Sequence, residues 1–104
     1  GRMLLRRSGY SVDVEAIIAA AARQRVAIEI NSQAYRLDIN DVQARMAHLQ
    51  GVGIVISSDA HSRAELAVTR WGTITARRAW LRAADVLNTR PFDTFRAALR
   101  RNLA

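Results

Sequence analysis

Apolar residues follow two rhythms along this chain, helical spacing and short unbroken runs, and their alternation predicts its architecture. "DVEAIIAAAARQ", residues 13–24, reads as an alanine-rich helix with Asp13 as N-cap. "VAIEIN", residues 26–31, is rich in β-branched residues and reads as a strand. "NDVQARMAHLQG", residues 40–51, reads as a helix with Asn40 and Gln43 at capping-box spacing and Gly51 just past its last turn. Its buried stripe is expected at Val42, Met46 and Leu49, which leaves His48 on the surface. "VGIVIS", residues 52–57, is nearly all apolar, as a strand covered on both faces should be. Ser62 and Glu65 have capping-box spacing too, so a helix is expected from just after His61 to about Arg70, with Gly72 beyond it. "TARRAWLRAA" reads as helical. Pro91 suits the first turn of a last helix with Phe92, Phe95 and Leu99 on one side and Arg96, Arg100 and Arg101 largely elsewhere.

The order is helix, strand, helix, strand, and then three helices. Strands alternating with helices imply right-handed crossovers and a parallel sheet, so the fold class is α/β. Two parallel strands are few for a sheet that needs both faces covered. The expectation is therefore that these residues form the C-terminal part of a larger α/β domain, stabilised by the rest of that domain or by self-association. No internal repeat, low-complexity segment or linker interrupts the chain.

Composition narrows the classes. At 104 residues, half of them hydrophobic, the chain suits one small domain rather than a disordered tail. The absence of cysteine excludes disulfides and thiolate metal sites and fits a reducing, cytoplasmic setting. No apolar run approaches the roughly 20 residues that a membrane span needs. The opening "GRMLLRRSGY" has too short an apolar core for a signal peptide. Net charge is +7, and all 16 basic residues are arginine. Arginine binds phosphate as a planar fork, so the charge favours nucleic acid or another polyanion, although GC-rich codons also account for the preference over lysine.

The candidate chemistry lies in "VISSDAHSRAEL". Asp59 and His61 follow the second strand, where chemistry gathers in parallel α/β domains. Two residues apart in an extended segment, they point the same way, and a carboxylate and an imidazole can share one ion such as Zn²⁺ or Mn²⁺. The alternative is a turn-forming Asp59 beside a solvated His61. A catalytic zinc takes about three protein ligands, so a complete site must draw on residues beyond this pair. Glu29 and Asn31 end the first strand on the same rim, with Glu29 and Asn31 on one side and Ile28 and Ile30 on the other. Asn31 is a candidate for binding substrate or simply closes the strand-to-loop turn. Arg36 either clamps a phosphate or pairs with Asp38. Arg77, Arg78 and Arg82 surround Trp80; the spacing predicts a buried tryptophan with solvated arginines, and a DNA-backbone contact is the other reading. Trp71 is expected in the core.

"EIN" followed by "RLDI", "GVGIVISSDAHS", "ARRAWL" and "DVLNT" resembles the C-terminal part of the PHP (polymerase and histidinol phosphatase) domain of bacterial family X DNA polymerases. The resemblance runs from about Gly1 to Phe95. Asp-Ala-His is widespread among PHP domains, and the other elements are more specific to the polymerase-linked branch. It implies a distorted, TIM-like β/α barrel bearing a cluster of, typically, three metal ions, of which residues 1–104 would be the C-terminal fragment. Asp59 and His61 match the last two metal ligands and would be catalytic. The opening "GR" is similar to residues that follow a His-Pro-Thr element. The earlier histidine- and acid-bearing motifs and the polymerase domains have no counterpart here. Ala34 stands where the family often has proline.

For the intact protein the resemblance implies divalent metal ions (Mn²⁺ or Zn²⁺, with Mg²⁺ a further candidate) and phosphoester hydrolysis as a 3′–5′ exonuclease or in 3′-end processing during DNA repair. The fragment alone is expected to be inactive. Two other classes stay open. One is a non-enzymatic, arginine-rich nucleic-acid-binding module; the other is a stand-alone PHP phosphatase acting on a small phosphate ester.

Overall fold

Local capping fixes the first elements, as the sequence predicts. A computed structural model describes residues 13–33 and 39–100, with only the backbone at Arg100. Helix α1 spans Val14–Gln24, and the Asp13 carboxylate accepts from the Ala16 N–H at 3.1 Å. It ends where Arg25 takes a left-handed conformation, φ 56°, and the Val26 N–H returns to the Ala21 carbonyl. Helix α2 spans Asp41–Leu49 and opens on a complete capping box: Asn40 Oδ1 accepts from the Gln43 N–H at 2.8 Å, and Gln43 Oε1 accepts from the Asn40 N–H at 3.0 Å. Gly51, at φ 80°, turns the chain out of α2 into the second strand.

Strands β1 (Ile28–Asn31) and β2 (Ile54–Ser57) pair in parallel, Ile28 with Ile54 and Asn31 with Ser57. Both are shorter than the apolar runs suggest, because Val26, Ala27, Val52 and Gly53 lead in without pairing as strand. Among the described residues the far side of β2 makes one parallel bridge, Ile54 to Val86. Beyond it the Asn88 amide continues the edge: its Oδ1 accepts from the Ile56 N–H at 3.1 Å and its Nδ2 donates to the Ile56 carbonyl at 2.6 Å. One side chain thus satisfies both polar groups of Ile56 on the side of β2 away from β1, where no strand lies at that level among the described residues.

The core lies between this sheet and the helices, around Ile18, Ile30, Ile54, Ala44, Ala47, Ala76 and Leu81. Here the expected stripe of α2 is corrected. Ala44 and Ala47 are its buried residues, whereas Val42 and Leu49 are 67% and 68% exposed. The small side chains face the sheet because they let the α2 backbone approach it. His48 is half-buried, 3.9 Å from the Asp85 carboxylate, rather than free on the surface.

The segment after the Asp59–His61 loop also differs from expectation. A 3-10 helix, Ala64–Val68, leads directly into α3, Thr69–Arg78. Gly72 therefore lies inside a helix and not beyond one. It is buried because α3 crosses the sheet there: a Cβ would run into the Ser32 hydroxyl and come within 2.7 Å of Ile56 Cγ2. The predicted helix through "TARRAWLRAA" breaks at Trp80, whose φ is 62°. The Trp80 N–H bonds the Arg77 carbonyl and the Leu81 N–H bonds the Ala76 carbonyl. This reversal turns Leu81 into the core and leaves Trp80 77% exposed, contrary to the buried tryptophan expected from helical spacing. The Arg45 guanidinium lies over its ring, 5.5 Å from the centroid. Trp71, expected in the core, is 38% exposed beneath Arg70.

Two 3-10 turns, Ala83–Asp85 and Leu87–Thr89, lead to α4, Phe92–Arg100. Pro91 immediately precedes α4, and its carbonyl accepts from the Phe95 N–H. Of the predicted apolar stripe, Phe95 is partly buried, and Phe92 and Leu99 are exposed. No described helix is long and apolar enough to cross a membrane.

The contact of α3 with the sheet has a direct test. Gly72→Ala should destabilise the chain by about 1–3 kcal/mol in urea unfolding, the usual cost of overpacking. Ser32→Ala should be neutral or stabilising by up to about 1 kcal/mol, because the buried Ser32 hydroxyl has no hydrogen-bond partner among the described residues.

A second test uses pH. Arg78 Nε donates to Asp41 Oδ2 at 3.0 Å, joining α3 to α2, and holds the Asp41 carboxyl below its ordinary range. The Arg82 N–H does the same for Asp85. Both folded values lie below the unfolded ones. Their stabilisation is therefore full above the unfolded carboxylate range, near pH ~4, and is lost as pH falls through the folded values. The urea midpoint should drop with acidification from about pH 5, less steeply in Arg78→Ala.

Candidate functional site

The parallel register sets Asn31 level with Ser57, so the loops leaving both strands open on one rim. Pairing continues one step further, with the Ser32 N–H donating to the Ser57 carbonyl at 2.8 Å. Past that point side chains tie the loops together. Asn31 Oδ1 accepts from the Gln33 N–H at 3.0 Å, which closes the strand-to-loop turn. Its Nδ2 then faces the neighbouring loop and donates to Asp59 Oδ2 at 3.4 Å. Gln33 Nε2 donates to the Ser58 carbonyl at 2.6 Å and reaches the Asp59 carbonyl at 3.4 Å. Asn31 and Gln33 are both 6% exposed.

Asp59 itself has φ 50°, a left-handed conformation that aspartate tolerates better than most residues. That turn sends its carbonyl toward the following imidazole, and His61 Nδ1 lies 2.8 Å from the Asp59 oxygen. A carbonyl only accepts, so in the neutral ring Nδ1 carries the proton and Nε2 keeps a lone pair. Both Asp59 and His61 are exposed. The loop then ends on a modified cap. Ser62 Oγ accepts from the Glu65 N–H at 3.3 Å as expected, but the Glu65 carboxylate passes over Ser62 and accepts from the His61 N–H at 2.8 Å.

Of the residues singled out from sequence, Asn31 and Asp59 are brought into contact and His61 is bonded to Asp59's own carbonyl. Glu29, two residues before Asn31 on β1, is exposed. Arg36 and Asp38 lie outside the described residues, as do Ala34 and the opening "GRMLLRRSGY". Gln33 is the residue sequence reasoning passed over. No local signal marks it, because it lies past the end of β1 in the turn that Asn31 Oδ1 closes.

Asp59 and His61 together offer one carboxylate and one imidazole nitrogen, a donor set suited to Zn²⁺ or Mn²⁺. Among the described residues no group of three or more His, Cys, Asp or Glu comes together to hold an ion. A cavity of about 540 Å³ lies at the opposite end of the strands, lined in part by Ala27, Gly53, Leu87 and Leu99, and does not include the pair. Arginines come from each of the four α-helices, among them Arg23, Arg45, Arg77 and Arg96.

The backbone at Asp59 gives a separable test. Asp59→Asn and Asp59→Gly should preserve stability to within about 1 kcal/mol, since both residues accept a left-handed φ. Asp59→Val should cost about 1–3 kcal/mol more than Asp59→Asn in urea unfolding, from strain rather than lost charge.

No protein-family model matches the chain. It is similar to the DNA polymerase/3′-5′ exonuclease PolX of Bacillus subtilis (strain 168), with 36% identity over 102 residues. The match covers 98% of this chain, which spans 18% of that protein's length.

Proposed function

We propose that the chain is the C-terminal part of a PHP-type phosphoesterase domain of a bacterial family X DNA polymerase, and that it supplies two metal ligands, Asp59 and His61. The observation that carries this reading is the likeness to a DNA polymerase/3′-5′ exonuclease along 98% of the chain. The rim geometry supports it from an independent side. His61 has its Nδ1 engaged by a carbonyl, the usual way a protein fixes the tautomer of a ligating imidazole. Asp59 is oriented by Asn31 and remains exposed. In this reading the parent protein acts on DNA 3′ ends, as an exonuclease or an end-processing enzyme, in the cytoplasm. The barrel of which these strands are a part is completed by residues outside this chain.

Asp59 and His61 would hold Mn²⁺ or Zn²⁺, with Mg²⁺ a further candidate. When bound, the ion supplies Lewis-acid stabilisation of charge developing on the phosphate. This chain's residues orient that ion's ligands: Asn31 aims the carboxylate, the Asp59 carbonyl aims the imidazole, and Glu65 anchors the His61 backbone. Arg36 is retained as a candidate phosphate contact. Two ligands bind an ion weakly, so the 104 residues alone are proposed to be inactive.

Calorimetric titration of the chain with Mn²⁺ or Zn²⁺ should give weak, saturable binding that His61→Ala and Asp59→Ala each abolish. The chain alone should not shorten a 3′-ended oligonucleotide in Mn²⁺. Loss of an outer-shell partner typically costs 10–100-fold, so removing a ligand should cost the parent protein's nuclease at least about 100-fold. Full nuclease activity in a parent protein carrying His61→Ala would sink the proposal.

A further inference from the structure

The His61 imidazole and the buried Gln33 amide meet on the same oxygen. The Asp59 carbonyl lies 2.8 Å from His61 Nδ1 and 3.4 Å from Gln33 Nε2, and Gln33 holds the preceding carbonyl, that of Ser58, at 2.6 Å. Gripping two consecutive carbonyls fixes the orientation of the peptide between them. That peptide leads into the left-handed turn at Asp59, φ 50°, which determines where the Asp59 carbonyl points. Gln33 is itself held: its backbone N–H donates to Asn31 Oδ1 at 3.0 Å, and it is 6% exposed. Its amide orientation follows from chemistry, since only the NH₂ end can donate to two carbonyls. By contrast, the imidazole is exposed and could rotate into water were its acceptor displaced.

We infer that Gln33 is a positioning residue for His61: by clamping the Ser58 and Asp59 carbonyls it presents the Asp59 oxygen to Nδ1, so that the ring keeps its proton there and turns Nε2 outward as the ligating atom. The inference rests on the reading of His61 as a metal ligand for its purpose, but the geometry it describes exists without an ion. Asn31 and Gln33 then divide one task. The residue at the end of β1 orients the Asp59 side chain, and the residue two positions later orients its main chain and, through it, the imidazole. Both reach the neighbouring loop from the end of β1, Asn31 as its last residue and Gln33 from the turn that the Asn31 side chain closes.

The test is the tautomer of His61, read by long-range ¹H–¹⁵N correlation on the full 104-residue chain without metal, at about pH 8.5, where an ordinary imidazole is neutral. Wild type should show predominantly the Nδ1–H form. Gln33→Met keeps the length of the side chain and removes the donor; it should shift His61 to predominantly the Nε2–H form while the remaining amide spectrum stays dispersed. A folded Gln33→Met chain with an unchanged tautomer overturns the inference. So does a wild-type chain in which His61 is predominantly Nε2–H, a result that needs no variant to fold. Titration with Zn²⁺ alone separates the two levels. If the tautomer depends on Gln33 but Zn²⁺ leaves the His61 resonances unmoved, the positioning role stands and the metal reading fails.

Discussion

Asn31 lies level with Ser57 in a parallel pair only four residues long, and the arrangement of the rim follows from that register. A slip of one residue would carry Asn31 to the other face of the sheet and take its amide away from Asp59. The pairing is too short to hold itself by backbone hydrogen bonds alone. It is held by what crosses it: Ile30 and Ile54 beneath the helices, and α3 above, pressed against Ser32 and Ile56 at Gly72. The glycine is thus part of the rim's geometry although it makes none of its polar contacts. Without its close approach, α3 would stand away from the strand ends, and the loop between β2 and α3 would have a different span to bridge.

The two edges of β2 are managed by unlike means. On one side β1 supplies a strand. On the other, "DVLNT" supplies one bridging residue, Val86, and then a side chain, Asn88, in place of further backbone. A third strand need not run the length of β2 when an amide offers a donor and an acceptor at strand spacing. The same economy recurs on the rim, where the Asn31 and Gln33 amides tie together loops that no longer pair as sheet. Polar side chains thus extend the parallel sheet at both of its exhausted margins.

Elements set by neighbours in sequence were legible. The Asp13 cap and the Asn40–Gln43 box depend on residues three apart, and both formed as read. The two strands and their parallel sense followed from unbroken apolar runs separated by a helix. What was not legible depended on distance or on backbone conformation. Helical spacing puts Trp80 in the core only if the helix runs through it, and the chain reverses at Trp80 itself. Val42 and Leu49 mark the expected stripe because their larger apolar side chains gain more from burial than alanine does. The sheet instead faces Ala44 and Ala47, where closeness of approach matters more than area per residue. Asp59 and His61 could be picked out as a pair, but nothing local announced that Gln33, in a different loop, would bond the carbonyl between them.

The loop carrying Asp59 and His61 is more constrained than a solvated turn requires. Its backbone oxygens are gripped by Gln33, its carboxylate by Asn31, and the His61 N–H by Glu65, while the two side chains best able to bind an ion are left exposed. A turn selected only to connect a strand to a helix would not need a left-handed aspartate or three partners from two other segments. Preorganisation is useful when the groups being held must meet something of fixed geometry, because orientation lost before binding is not lost again on binding. A metal ion has that property. On the proposed reading, the described residues hold two ligands, Asp59 and His61, and the Asn31, Gln33 and Glu65 side chains that orient them. If, as proposed, the remaining ligands come from other strands of a barrel, a loop already rigid on its own loses little further freedom when the cluster closes.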